Sequence, residues 1–285
     1  MNILIIFSLC FLATAKVTLQ SRFGKRTLST KTDGIIFNAL VFLTAAILFG
    51  ADIPNASLAI WLFSGGFAVF TVIFQLSYTN ALSQGNVSLT VMMVNLSMLF
   101  PVLTSVIFYH ERLTHARIIG IAFIVLSFLL CVDVGDKKTV SRSWLILTVL
   151  ATLANGSIGI TQKVFGASRF HTEKKAFVAC SYLLAFIITF TIYAVSRLKG
   201  KETSAHRKAP TYLFSISVGI ILAIFQLLNT YAISVIDGSF LFPVYSGGSI
   251  ILSTLVGVLF FKDKLTVKQT ISIIIGIIAV IIMNL

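Results

Sequence analysis

Two apolar segments of the sequence carry polar side chains of the kind that bind small molecules. They are Gln75, Tyr78 and Asn80 in one segment, and Gln226, Asn229 and Tyr231 in the other. An amide or phenol group surrounded by hydrocarbon needs hydrogen-bond partners, so it either cross-links helices or lines a polar cavity. The first two residues of each set are three positions apart and share one helix face. We therefore predict that these sets line a substrate-binding cavity, with hydrogen bonding between helices as the alternative for each residue taken singly.

Asn95, Tyr245 and Ser246 extend the candidate binding site to two further apolar segments. Gly247 and Gly248 follow Ser246, so this stretch combines hydroxyl groups with small residues. Such a combination allows either close helix packing, which is the favoured interpretation, or backbone exposed to a substrate. For Asn95, a hydrogen bond to a neighbouring helix is the favoured interpretation and cavity lining the alternative.

Other polar and proline residues inside apolar segments are expected to have structural roles. Asn38 and Asn155 are predicted to cross-link helices by hydrogen bonds. Pro101 and Pro243 each free a backbone carbonyl and are predicted to kink their helices.

Four charged residues near the ends of apolar segments are candidates for substrate contact or gating. Lys16 and Lys163 could each meet an anionic group of a substrate, but the favoured interpretation is that they extend their ammonium groups to the membrane interface. Glu111 and Asp263 could each form a gating ion pair with a nearby Arg or Lys. The favoured interpretation of these two acids is a solvated turn that ends a helix.

Catalytic and metal-binding patterns are missing from the sequence. No Gly-x-Ser-x-Gly, Walker or His-Glu-x-x-His motif occurs, and the three cysteines are far apart with no metal-ligand spacing. All nine acidic residues fall at or beyond the ends of apolar segments, which argues against proton antiport through a central carboxylate. We expect neither enzymatic activity, nor a cofactor, nor a bound metal.

The composition indicates a helical membrane protein with many spans. Of the 285 residues, 57% are hydrophobic and 11% are charged, against about 25% charged in an ordinary soluble domain. The 22 Lys and Arg residues lie mostly in short connections between apolar runs, as in loops facing an anionic lipid surface, so a nucleic-acid partner is not expected. The continuous apolar runs exclude an outer-membrane barrel, whose strands alternate apolar and polar residues.

The apolar runs predict ten transmembrane helices, since about 20 apolar residues span a bilayer. They cover residues 2–20, 34–50, 58–82, 87–109, 116–134, 143–163, 176–196, 211–233, 238–261 and 267–284. No connection between them is long enough to form a separate domain.

The chain contains an internal duplication. Residues 73–83 (IFQLSYTNALS) align with residues 224–234 (IFQLLNTYAIS), and seven of the eleven positions are identical. Glu-Arg-Leu-Thr at 111–114 likewise aligns with Asp-Lys-Leu-Thr at 263–266, and Lys16 aligns with Lys163. The sequence therefore predicts two five-helix repeats, over residues 1–136 and 137–285. Five is an odd number, so the second repeat must enter the membrane inverted, an architecture of secondary transporters.

These features resemble the EamA-type branch of the drug/metabolite transporter superfamily. The resemblance rests on the two five-helix halves and on the segments 86–114 and 237–266, each with a proline in mid-helix and an acid-base-Leu-Thr end. Asp263 and Ser272 depart from the Glu and Gly usual in that family. The resemblance implies a multi-pass carrier in the cell membrane that contacts a small-molecule substrate and membrane lipid, as a monomer or homodimer.

The expected function is secondary-active transport of a small polar or amphipathic metabolite by alternating access, as an exporter or exchanger. The first five helices would rock against the last five around a site on helices 3, 4, 8 and 9. Two alternatives stay open: a flippase for a lipid-linked substrate, and a non-transporting membrane sensor or scaffold. The charge bias of the connections places both termini outside, whereas the family habit places both inside.

Overall fold

The computed structural model describes residues 2–26, 31–84, 87–131, 141–198, 209–261 and 267–283, and these residues form helices and short connections without a strand. The α-helices are α1 Asn2–Arg26, α2 Lys31–Leu48, α3 Leu58–Gln84, α4 Val87–Asn95, α5 Leu99–Tyr109, α6 His115–Cys131, α7 Arg142–Ala167, α8 Lys174–Leu198, α9 Ala209–Val235, α10 Gly238–Phe261 and α11 Val267–Met283. Short 3-10 helices cover Gly50–Asn55, Leu96–Met98 and His171–Glu173. The prediction of an all-helical protein is confirmed.

Five described helical segments are long and apolar enough to cross a membrane. They are Ile3–Phe23, Leu58–Gln84, Arg142–Ala167, His171–Leu198 and Thr211–Val235. Thr32–Leu48, Met93–Tyr109 and His115–Ser127 are shorter apolar helices. In lipid a helix satisfies its own backbone hydrogen bonds, which is why long apolar runs adopt this structure.

The predicted helix over 87–109 is broken, whereas the equivalent helix of the second half is continuous. The 3-10 turn Leu96–Met98 separates α4 from α5, and Pro101 lies in the first turn of α5. Proline is tolerated in a first turn, because the backbone N–H it lacks would have no partner within the helix there. Pro243 lies inside α10, which runs unbroken from Gly238 to Phe261.

The two halves of the chain, α1–α6 and α7–α11, are interleaved, and their packing is symmetric under exchange of the halves. Helix α3 packs against α7, and its counterpart α9 packs against α1. Helix α2 packs against α9, its counterpart α8 packs against α3, and the equivalent helices α6 and α11 pack together. This exchange symmetry is the packing expected of two related repeats.

The hydrophobic core consists of two clusters, and each contains helices from both halves. The first lies mainly between α2, α3, α7 and α8. The second lies mainly between α1, α9 and α10, with α5, α6 and α11 contributing. Gly219 of α9 permits close packing on α2, because a Cβ atom there would lie 2.8 Å from the carbonyl oxygen of Val41. In the described part of the chain, both clusters thus draw on both halves.

Candidate functional site

A cavity of about 130 Å³ lies between the two halves and is lined by helices of both. At about 30 Å³ of liquid volume per water, this volume corresponds to roughly four water molecules. The polar residues of its wall are Thr14, Lys16, Thr71, Gln75, Tyr78, Asn95, Ser97, Asn155, Gln162, Tyr182, Gln226, Asn229, Tyr245, Ser246 and Ser249. Besides α3, α4, α9 and α10, the wall includes α1, α7 and α8, so the predicted set of lining helices was incomplete.

Most of the predicted substrate-binding residues face this cavity. Those on its wall are Gln75, Tyr78, Asn95, Gln226, Asn229, Tyr245 and Ser246. They come from four helices and include residues from both copies of the duplicated segment. Gln75 and Tyr78, like Gln226 and Asn229, are three residues apart, and this spacing turns both members of each pair toward the cavity.

Asn80 and Tyr231 were predicted to line the site but lie elsewhere. The Asn80 amide donates a hydrogen bond to the carbonyl oxygen of Leu76 on its own helix, at 2.7 Å. The ring of Tyr231 lies 4.6 Å from the ammonium nitrogen of Lys174, in an outer pocket. Both residues are five positions beyond the cavity-facing glutamine of their helix, a spacing that turns them to another face.

Hydrogen bonds between cavity residues join the helices of the second half. Asn229 Nδ2 donates to Gln162 Oε1 at 3.1 Å, and Tyr182 OH donates to Gln226 Oε1 at 3.4 Å. The sequence analysis did not identify Gln162 or Tyr182 as site residues. The available signal was their polar character inside apolar segments, the same signal that marked Gln75 and Gln226.

Three buried donor groups of the cavity wall have no hydrogen-bond partner within the described part of the chain. They are the amide nitrogens of Gln75 and Gln162 and the hydroxyl of Thr71. A buried donor left unsatisfied costs about 1–3 kcal/mol, so each needs an acceptor from water or from a ligand. The wall is thus built to receive acceptor oxygens.

Lys16 faces the cavity instead of the membrane interface, so the interfacial interpretation is wrong for it. Only 9% of the Lys16 surface is exposed to solvent. Its ammonium nitrogen lies 5.8 Å from the ring centre of Phe74 and 5.7 Å from that of Phe225. These two phenylalanines occupy equivalent positions of the duplicated segment, and no carboxylate among the described residues forms an ion pair with Lys16.

Lys163, which is buried, and Glu111, which is partly buried, form an ion pair, so neither the interfacial lysine nor the solvated turn was correct. Their side chains are 9% and 12% exposed. The Glu111 carboxylate also accepts hydrogen bonds from the backbone N–H groups of Ser239, at 2.9 Å, and Gly238, at 3.3 Å. Burial alone would raise the pKa of Glu111, but the hydrogen bond from Lys163 and these N–H groups hold the pKa below its ordinary value.

Local backbone structure places Glu111 at the start of α10. His110 ends α5 in the left-handed conformation, with φ of 52°, which turns the chain toward α10. A carboxylate is stabilised at a helix N-terminus by the free N–H groups and the helix dipole. Nearby, Arg117 Nη1 lies 3.1 Å from Asp237 Oδ2 and donates to Ser239 Oγ at the same distance. This charged cluster joins the α5–α6 connection to α7 and α10, across the two halves.

The remaining candidates divide between helix cross-links and bonds within a helix. Asn155 Nδ2 donates to Ser97 Oγ at 2.6 Å, which confirms the cross-link predicted there. Asn38 Nδ2 donates to the carbonyl oxygen of Gly34 on its own helix at 2.8 Å and also to Thr79 Oγ1 of α3 at 3.4 Å, so its predicted cross-link is confirmed as well. Asn95 instead donates to the carbonyl oxygen of Val91 on its own helix. Asp263 lies outside the described residues.

Comparison with known proteins identifies one family. The model of the EamA-like transporter family matches residues 3–132 and 142–285. The crystal structure of a protein with 15% sequence identity superposes with a TM-score of 0.75, covering 99% of this chain and 95% of that one. At this identity the superposition shows the fold alone. No curated protein sequence matches the chain.

Proposed function

We propose that this chain, which belongs to the EamA-like transporter family of the drug/metabolite transporter superfamily, is a secondary carrier for a small polar or amphipathic metabolite. It would work by alternating access, as an exporter or an exchanger. The observation that carries this proposal is the cavity between the halves, whose wall includes Gln75 and Gln226 at equivalent positions of the duplicated segment. A site shared by two related repeats is the arrangement that alternating access requires.

The membrane architecture proposed for this carrier is ten transmembrane helices in two inverted repeats, residues 1–136 and 137–285. The helices α4 and α5 would together form the fourth span. Support comes from the duplication and from the packing, which is symmetric under exchange of the halves. The cell membrane is the proposed location, and the chain would act as a monomer or homodimer in contact with lipid.

The proposed motion differs from a rocking of one half against the other. Each hydrophobic cluster contains helices from both halves, so separating the halves would expose both clusters. We propose that the moving units are instead the helix groups of the two clusters, α2, α3, α7 and α8 in one and α1, α9 and α10 in the other. These two groups would shift relative to each other around the cavity. The Glu111–Lys163 pair would act as a gate, because it joins the α5–α6 connection to α7 and α10 beside the cavity residue Gln162.

A transport screen in proteoliposomes tests the proposed function. Uptake and efflux of an untargeted mixture of small metabolites would be compared for the native chain and the double variant Gln75→Ala/Gln226→Ala. The matched control is Asn80→Ala/Tyr231→Phe, which alters the same two helices at equivalent positions away from the cavity. We expect a solute whose flux depends on the native protein, is lost in the glutamine variant and persists in the control.

Two outcomes of this screen would contradict the proposal in whole or in part. If folded and inserted native protein moves no solute of the mixture, the carrier proposal fails in favour of the sensor or flippase. If a flux persists in the glutamine variant, transport stands but the cavity is not its route.

A further inference from the structure

We infer that the cavity binds an organic anion, with the anionic group held near Lys16 and an apolar or aromatic body against the surrounding rings. This inference rests on the proposed function, because it names the substrate class of the same site. It is carried by the charge of the cavity wall, by its unpaired donors and by its aromatic residues.

The charge of the cavity wall is positive. Lys16 is the one charged residue among the described residues that line the cavity. Lys163, its equivalent in the second half, follows the cavity residue Gln162 but is paired with Glu111. The wall therefore attracts an anion and repels a cation.

A buried ammonium group without a counter-charge is unfavourable, and a bound anion would remove that cost. Taking a cation out of water costs several kcal/mol unless an opposite charge or hydrogen bonds offset it. The two phenylalanine rings beside Lys16 lie close to the 6 Å limit for cation–π attraction, so they offset only part of this cost. A carboxylate, phosphate or sulfonate oxygen would supply the missing partner.

The neutral donors of the wall favour the same chemistry. Among the described residues, the amide nitrogens of Gln75 and Gln162 have no acceptor and the hydroxyl of Thr71 has no partner. Hydrogen bonds to a charged acceptor are about twice as strong as those between neutral groups. An anionic group with two or three oxygens offers more acceptor positions than a single neutral carbonyl, so it suits a wall that presents several donors.

The apolar part of the cavity wall favours an organic ligand over an inorganic ion. Aromatic side chains surround the cavity: Phe67, Phe74, Tyr78, Tyr182, Phe225 and Tyr245. Apolar and aromatic walls with a few placed polar groups are typical of sites for organic ligands. The ligand class that fits is a small amphipathic anion.

Ligand-induced stabilisation of the purified full chain in detergent tests this inference. The probes are small carboxylates, phosphate monoesters and sulfonates with aromatic or aliphatic bodies, each paired with its neutral amide, alcohol or ester and with an amine of the same body. Unfolding is followed by the fluorescence of Trp61 and Trp144. A ligand that binds the folded state raises the unfolding temperature, so binding is measured without assuming transport.

We expect the stabilising compounds to be anions and their neutral and cationic counterparts to have no effect. Lys16→Met should weaken anion binding about thirtyfold or more, because it removes the charged partner from a buried site. Lys16→Arg keeps the charge and should retain binding in part. Lys175→Met, which removes an exposed lysine of α8 outside the cavity, should bind as the native chain does.

Three results would overturn the inference: no anion stabilises the native chain, neutral or cationic probes stabilise it instead, or Lys16→Met binds the anions undiminished. Flux of the same probes in proteoliposomes separates this inference from the proposed function. If anions bind through Lys16 but the native chain moves none of these probes and no solute of the metabolite mixture, the carrier is refuted and the anion site stands. A transported neutral or cationic solute that depends on Gln75 and Gln226 would leave the carrier and refute the anion site.

Discussion

Lys16 and Lys163 occupy equivalent positions of the two halves but have opposite surroundings. Lys163 is bound to the Glu111 carboxylate, which is also held by two backbone N–H groups at the start of α10. Lys16 stands between Phe74 and Phe225 on the cavity wall. Asp263, which aligns with Glu111, lies outside the described residues. In this structure the duplicated lysine thus serves once as half of an ion pair and once as a cation open to a cavity.

The difference shows that a duplicated sequence does not impose duplicated contacts. A carrier that alternates between two states needs its two halves in different local structures at any moment, and equivalent residues then have unequal partners. Buried ion pairs and buried single charges also differ in energy. Removing one partner of a pair leaves an uncompensated charge, whereas removing a lone charge relieves a cost.

The largest expected effect comes from removing the paired lysine. Lys163→Met should lower the free energy of unfolding by about 2 kcal/mol, because the mostly shielded Glu111 would lose its cation and keep only its two backbone N–H donors. Lys16→Met, the same substitution at the equivalent position, should leave the stability of the ligand-free protein unchanged or raise it. Thermal unfolding in detergent, followed by tryptophan fluorescence, compares the two variants.

A double variant provides the control for this comparison. Adding Glu111→Gln to Lys163→Met should restore about 1 kcal/mol, since the neutral amide no longer needs a cation and coupled residues are not additive. Equal destabilisation by the two lysine substitutions would show that Lys16 has a hidden partner, and the contrast between the halves would be lost.

An intermediate effect is expected from acid. Because the folded state lowers the pKa of Glu111, the carboxylate contributes stability that is fully present above its ordinary value of 4.5. That contribution should disappear as the pH falls through the lowered pKa. The unfolding temperatures of the native chain and Glu111→Gln should therefore differ by a constant amount above pH 4.5 and converge below it. A difference that vanishes while the pH is still neutral would contradict the assignment of the pair.

The smallest effect is expected at the exposed ion pair of the same cluster. Arg117 and Asp237 have side chains that are 22% and 57% exposed, and exposed pairs contribute only about 0–1 kcal/mol. Asp237→Asn should change the unfolding temperature little at low salt and not at all at high salt. If Asp237→Asn lowered the unfolding temperature as much as Lys163→Met, the whole charged cluster, and not the Glu111–Lys163 pair alone, would stabilise the contact between the α5–α6 connection and α10.

The sequence alone predicted which segments are helical, and seven of the nine residues that it assigned to substrate binding lie on the cavity wall. Continuous apolar runs specify helices, and a polar side chain within such a run must reach either a partner or a cavity. The same reasoning could not place Asn80 and Tyr231 correctly, because it grouped residues by segment and not by helix face. It placed residues 87–109 in a single helix, whereas the 3-10 turn Leu96–Met98 divides this run ahead of Pro101, and α10, which contains Pro243, is continuous. The kinks predicted at the two prolines stay predictions.

What the sequence determined by itself is the helical class, the duplication and the positions of polar groups within apolar runs, since hydropathy and spacing are properties of neighbouring residues. Only the tertiary structure decided which of those groups meet. Glu111 and Lys163 are 52 positions apart, and their pairing depends on α7 and α10 packing around the end of α5. The different surroundings of Lys16 and Lys163 likewise follow from the arrangement of the helices around the cavity, because the residues nearby in space decide whether a charge has a partner.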